Sequence, residues 1–99
     1  MSVVDTYRTN DGRAYFTFCF VDEGPYWRVD IERMPSFGNS GSGLHDTHRL
    51  PSSTASTGYK ICFDDPYEAY SREKAQKFSE AWAEAIWHWI RTGHKINGF

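Results

Sequence analysis

Apolar and polar residues alternate along two neighbouring stretches of the chain, 14–20 and 26–33. A period of two is typical of strands with one buried face, and the Gly24-Pro25 pair between the stretches marks a turn. We therefore expect an antiparallel hairpin whose apolar side chains share one face of the sheet. Those side chains are Phe16, Phe18, Phe20, Trp27, Val29 and Ile31.

Three further stretches are candidates for strands. Residues 3–9 and the polar run 44–50 are short, whereas 59–63 alternates clearly, with its aromatic and aliphatic residues on one side. Glycine, serine and threonine dominate 35–43 and 51–58, which predicts two loops. The sheet should therefore have four strands, or five if residues 3–9 join it.

The last third of the chain has a helical period. Apolar residues recur at steps of three and four from 72 to 92, which predicts one long helix with a wide apolar stripe. Ser71 is a candidate N-cap and Gly93 is well placed to end the helix. The stripe consists of Ala75, Phe78, Trp82, Ala85, Ile86, Trp89 and Ile90.

The fold class follows from these two apolar surfaces. An apolar sheet face needs a cover, and the helix can supply it, so Trp82 and Trp89 should meet the aromatic face of the hairpin. We expect a single α+β domain over residues 1–99, with an antiparallel sheet and one C-terminal helix packed across one face. Aromatic residues make up 17% of the chain, so a few large side chains would build the core.

The composition of the chain indicates where the protein is located and which classes of partner it is suited to bind. Eleven Lys and Arg against 13 Asp and Glu give a net charge of −2, which disfavours a dedicated nucleic-acid binder. No run approaches the roughly 18 apolar residues of a membrane span, and no secretory signal is evident. The two cysteines, Cys19 and Cys62, are too few for a disulfide framework, so we expect a cytoplasmic protein with reduced thiols. The thiols could approach each other if their strands are neighbours.

The segment His45-Asp46-Thr47-His48 is the densest cluster of polar groups. Two imidazoles and a carboxylate could ligate Zn²⁺ or perform acid–base chemistry. In an extended strand, however, positions three apart point to opposite faces, so one metal could not reach both histidines unless the chain turns here. A third ligand would also be needed. We expect a solvated polar strand without a metal or cofactor, and keep a small enzyme or metal site as the alternative.

The uncovered face of the sheet and one tryptophan are the candidate binding surface. Trp87 lies about 140° from the centre of the apolar stripe, so either a partner or the chain's own loops must cover it. The outer sheet face mixes tyrosines with charges of both signs, a composition suited to protein recognition, although an ordinary solvated face is the simpler reading. The proposed partner-binding residues are Tyr15, Tyr26, Arg28, Asp30, Phe37 and Trp87.

The absence of a catalytic motif favours a non-enzymatic protein-interaction module. In size, acidic balance and α+β composition the chain resembles phage or mobile-element inhibitors, of which anti-CRISPR proteins are one group; the resemblance implies a protein that blocks a larger complex. A weak single-stranded nucleic-acid binder, using Tyr15, Tyr26 and Arg28, is a further alternative. An open sheet edge and the off-stripe Trp87 also make a homodimer plausible.

Overall fold

A five-stranded antiparallel sheet and one long helix form the fold in the computed structural model, which describes residues 2–38, 40–44 and 46–94. The predicted α+β class is confirmed, and the first stretch does join the sheet as its fifth strand. The sheet order is β1-β2-β3-β5-β4. The elements are β1 Ser2–Arg8, β2 Tyr15–Asp22, β3 Trp27–Arg33, β4 Arg49–Pro51, β5 Tyr59–Ile61, a 3₁₀ turn Pro66–Ala69 and α1 Arg72–Thr92.

The core lies between α1 and the central strands, as the apolar patterns predict. Phe18 is opposite Ile31 in the β2–β3 ladder, so the apolar residues of both strands share one face. The Trp82 indole meets the rings of Phe16 and Phe18 edge-on, with centroids 5.9 and 6.0 Å apart. Trp89 is also buried. This interlock of large aromatic side chains holds the helix across the sheet.

Local signals set the ends of α1. The Ser71 hydroxyl accepts a hydrogen bond from the Lys74 amide, at 3.1 Å, which satisfies one of the free N–H groups of the first turn. Gly93 adopts a left-handed conformation with φ of 73° and donates its N–H to the Trp89 carbonyl. The helix therefore begins and ends where the sequence predicts.

The β2–β3 ladder contains a bulge near the open end of the hairpin, away from the turn that joins the two strands. Phe18 pairs with Ile31, but the preceding residue Thr17 pairs with Arg33, so Glu32 is the extra residue in β3. Simple alternation would place Arg33 on the core face with Ile31. Because it is opposite Thr17, whose strand alternation places it on the outer face, Arg33 faces outward instead.

The prediction of a strand over 44–50 is wrong for most of its length. The chain turns before β4, with the Thr47 amide bonded to the Gly43 carbonyl and the Arg49 amide to the Leu44 carbonyl. The Thr47 hydroxyl also donates to the Gly43 carbonyl, at 2.7 Å. Such side-chain bonds compete with a strand ladder, and the buried Trp82 indole takes the Thr47 carbonyl as its acceptor at 3.0 Å.

The two cysteines do not lie on neighbouring strands. Cys19 is in β2 and Cys62 directly follows β5, and β3 lies between these strands. Both thiols are free and half-buried. A disulfide between them is therefore not part of this fold. No helix within the described residues has the length and apolar character needed to span a membrane.

Candidate functional site

The six proposed partner-binding residues do not form one surface. Tyr15 and Trp87 line a hollow at the end of the sheet where the β1–β2 turn lies. Tyr26 and Arg28 line a different hollow, of about 330 Å³, near β5. The two remaining residues, Asp30 and Phe37, are engaged inside the fold.

Asp30 is not on an open surface, contrary to the prediction, since only 1% of it is exposed. Its carboxylate accepts hydrogen bonds from the hydroxyls of Ser52 at 2.8 Å and Thr54 at 2.6 Å, and from the Arg28 guanidinium at 3.2 Å. The loop 52–57 therefore folds over the outer side of β3. A buried carboxylate with several donors is a structural anchor, and here it fixes that loop.

Phe37 supports a buried cation. The Arg49 guanidinium lies between two rings, 4.7 Å from the centroid of Phe37 and 4.3 Å from that of Tyr59. It also donates to the Thr47 hydroxyl and to the Ser42 carbonyl, at 2.9 and 2.7 Å. Burial lowers the pKa of Arg49 from its usual value. The segment around Phe37 is thus tied to the fold.

Tyr26 and Arg28 also make internal contacts. The ring of Tyr26 meets Tyr67 edge-on, with centroids 5.9 Å apart. Arg28 pairs with Glu23 and Asp30. Arg28 therefore has its charge matched within the chain, which weakens the hypothesis that it binds nucleic-acid phosphates beside Tyr26.

Trp87 is held in place by the turn between β1 and β2. Its indole N–H donates to the Asp11 carboxylate at 2.7 Å, so a turn covers one edge of the ring. The guanidinium carbons of Arg13 and Arg91 lie 5.9 and 5.8 Å from the indole centroid. Both distances are within the range of a cation–π contact. Trp87 is half-buried and fixed in orientation.

Asp11 is the polar centre of this arrangement. Its carboxylate also accepts from the Thr9 hydroxyl at 2.7 Å and from the Arg13 amide at 2.9 Å, and lies 3.8 Å from Arg91. The Trp87 bond, with these others, lowers the pKa of Asp11 to about 2. Asp11 is therefore ionised at neutral pH and keeps the indole oriented.

The hollow beside Trp87 is the strongest candidate site, and we call it the arginine–aromatic cleft. It has a volume of about 490 Å³ and lies at the end of β2 and β3. It opens to solvent, and Tyr15 at its edge is 57% exposed. The lining residues that matter here are Arg13, Tyr15, Arg33, Met34, Pro35 and Trp87.

The cleft contains cations that the fold does not neutralise. Within the described residues, neither Arg13 nor Arg33 forms an ion pair with a carboxylate. Arg33 reaches the cleft because of the bulge in β3, and Arg13 because it follows the turn that holds Trp87. A cleft with aromatic walls and two unmatched guanidinium groups can recognise an anionic ligand.

Tyr15 and Trp87 were predicted from the sequence as binding residues, whereas Arg13 and Arg33 were not. A one-residue bulge has no signature in the alternation of β3, so Arg33 would have been assigned to the core face. The Asn10-Asp11-Gly12 turn is visible in the sequence. Its contact with a helix residue more than seventy positions later is not.

The histidine cluster is only partly described. His45 lies outside the described residues, whereas His48 adopts a positive φ of 51° in the turn before β4. A turn is the conformation that a shared metal would have required. Over residues 2–38, 40–44 and 46–94, no group of three His, Cys, Asp or Glu side chains is placed to hold a metal ion.

The chain matches no protein-family model, and searches of curated proteins and of solved structures find no significant match.

Proposed function

We propose that the chain is a non-enzymatic, cytoplasmic protein-interaction module that binds its partner through the arginine–aromatic cleft. The carrying observation is that this cleft brings Trp87 and Tyr15 together with Arg13 and Arg33. Tryptophan, tyrosine and arginine are the residues that most often dominate binding energy at protein interfaces.

The rigidity of Trp87 supports the proposal. Binding costs free energy when flexible side chains must be ordered at an interface. The bond to Asp11 and the flanking guanidinium groups of Arg13 and Arg91 already orient the indole in the free chain. A partner would meet an aromatic side chain that needs little further ordering.

Inhibition would follow from occupancy alone. A module that covers a surface of a larger complex blocks whatever else uses that surface, so no catalytic group is required of it. A second copy of the chain is the alternative occupant of this cleft or of the β1 edge. Light scattering after gel filtration distinguishes such a homodimer from a monomer.

Paired tyrosine substitutions test the proposal. Tyr15 lines the cleft and Tyr70 lies before α1, and they are 57% and 62% exposed. Each variant, Tyr15→Ala and Tyr70→Ala, would be immobilised beside the unchanged chain to capture proteins from the native host lysate. We expect Tyr15→Ala to bind the captured partner about tenfold or more weakly than the unchanged chain does, and Tyr70→Ala to bind it with unchanged affinity.

Trp87→Ala serves as the second variant, with circular dichroism to show that it folds. A partner bound equally by the unchanged chain, Tyr15→Ala and folded Trp87→Ala would show that the cleft is not the binding surface.

A further inference from the structure

Several arginines gather at the end of the sheet beside the cleft, although the whole chain has a net charge of −2. Arg13 and Arg33 line the cleft, and Arg91 lies against the ring of Trp87. Arg8, at the end of β1, lies 5.9 Å from the ring of Tyr15. An isolated concentration of guanidinium groups attracts anions and steers them during encounter.

The carboxylates nearby are already occupied. Asp11 is bonded to the Trp87 indole and paired with Arg91. Glu84 accepts hydrogen bonds from the Asn10 amide, at 2.8 Å, and from the Tyr7 hydroxyl. Both acids join the turn to the helix, and within the described residues neither forms an ion pair with Arg13 or Arg33, so the side-chain N–H groups of these arginines are not used by a carboxylate.

The geometry leaves the donors of Arg13 available. A guanidinium against an aromatic ring keeps its N–H groups in the plane of the guanidinium, where they can form a two-pronged bond to a carboxylate. The guanidinium carbon of Arg13 lies 5.9 Å from the indole centroid of Trp87, within cation–π range, and within the described residues Arg13 forms no ion pair. Binding an anion there would preserve the contact with the indole.

Beside the arginines the cleft has an apolar wall, while the hydroxyls of Thr6 and Thr17, which are bonded to each other, line another part. Met34 and Pro35 follow β3 directly and line the cleft with Tyr15. A ligand that presents acidic groups to the arginines and an apolar side chain to Met34 and Pro35 would match both parts of the cleft. A peptide segment can supply both within a few residues.

We infer that the occupant of the cleft is an acidic peptide segment, with Asp or Glu side chains bound by Arg13 and Arg33 and an apolar residue against Met34 and Pro35. This inference rests on the proposed function and assigns the chemistry of the partner. A protein segment fits better than a nucleic acid, because a long polyanion would also meet the acidic remainder of the chain.

A displayed library of random peptides, about 12 residues long, is the direct test because it presumes no sequence. The full chain is used as bait, and the enriched peptides are synthesised with a matched copy in which every Asp and Glu becomes Asn or Gln. We expect selection to enrich acidic over basic residues, and the amidated copies to bind at least tenfold more weakly.

Charge-removing variants locate the binding. Arg13→Gln and Arg33→Gln should each weaken an enriched acidic peptide by about fivefold to tenfold, whereas Lys77→Gln, at an exposed position on α1, should change binding less than twofold. Raising the salt from about 50 mM to about 500 mM should also weaken it.

Three outcomes would overturn the inference: peptides without acidic enrichment, binding that survives both arginine substitutions, or tighter binding to a labelled oligothymidylate than to any peptide. If the lysate partner still depends on Tyr15 while no acidic peptide is selected, the proposed function stands and this assignment of the ligand fails. If acidic peptides bind through the arginines but no cellular partner depends on Tyr15, the assignment of the ligand stands and the proposed function fails.

Discussion

Replacing Trp82 by phenylalanine removes one buried hydrogen bond while keeping an aromatic ring in the core. Trp82 is fully buried between α1 and β2, where it meets Phe16 and Phe18 edge-on. Its N–H donates to the Thr47 carbonyl at 3.0 Å, which joins the helix to the turn before β4. Phenylalanine cannot donate, so the carbonyl of the buried Thr47 loses this partner.

The expected cost has two parts. A buried polar group left without its bond costs about 1–3 kcal/mol. The smaller ring also leaves a void, which adds about 1 kcal/mol at roughly 24 cal/mol per Å³. The free energy of unfolding should therefore fall by about 2–4 kcal/mol, less than the 5–15 kcal/mol of a typical domain, so Trp82→Phe should still fold.

Urea denaturation followed by far-ultraviolet circular dichroism measures this change. Trp87→Phe is the matched control: it makes the same replacement where the acceptor, Asp11, is exposed, and should cost about 1 kcal/mol or less. The slope of free energy against urea should be the same in both variants. If Trp82→Phe lowers the free energy of unfolding no more than Trp87→Phe does, the hydrogen bond from Trp82 to Thr47 does not stabilise the packing of α1 against the turn, and the reasoning is refuted.

Three other predictions concern charged and titrating groups. Arg49→Lys should lower the free energy of unfolding by about 1–3 kcal/mol in urea titrations, because an ammonium cannot both stack between two rings and bond two acceptors. Since the folded-state pKa of Asp11 is lowered to about 2, its contribution to stability should be complete above pH 4 and lost as pH falls through about 2; the Trp87 indole N–H resonance should shift with that midpoint and not shift in Asp11→Asn. Burial and the bond to Glu84 raise the pKa of Tyr7 to about 12, so its contribution should be present below pH 10 and lost as pH rises towards 12, and the part of the tyrosinate absorbance that Tyr7→Phe removes should develop near pH 12.

The fold was predictable where the pattern of side chains repeats several times. Six apolar residues alternate over two strands, and seven recur along the helix, so each prediction rests on many positions that agree. The bounds of α1 could be read from Ser71 and Gly93, whose roles depend only on neighbouring residues.

The segment before β4 could not be predicted in this way. Its conformation depends on the Thr47 carbonyl meeting the indole of Trp82, a residue 35 positions later. The burial of Asp30 likewise depends on hydroxyls of the loop 52–57. Long-range contacts of this kind override local preferences, and no period in the sequence signals them.

The candidate site was half predictable for the same reason. Trp87 was identified because it lies off the apolar stripe, and Tyr15 because it lies on the outer face of β2. Arg33 and Arg13 entered the site through a bulge and through a turn that closes on the helix. The aromatic residues of the cleft could thus be predicted from the sequence, and its arginines could not.

The extra residue in β3, Glu32, lies between a part of the strand that faces the core and a part that lines the cleft. Before Glu32, Ile31 pairs with Phe18 and packs in the core. After it, Arg33 lines the cleft. Under the proposed function, changes at the tip of this strand alter which ligand the cleft binds without disturbing the pairing of Phe18 with Ile31. Selection could thus vary specificity here while leaving foldability intact.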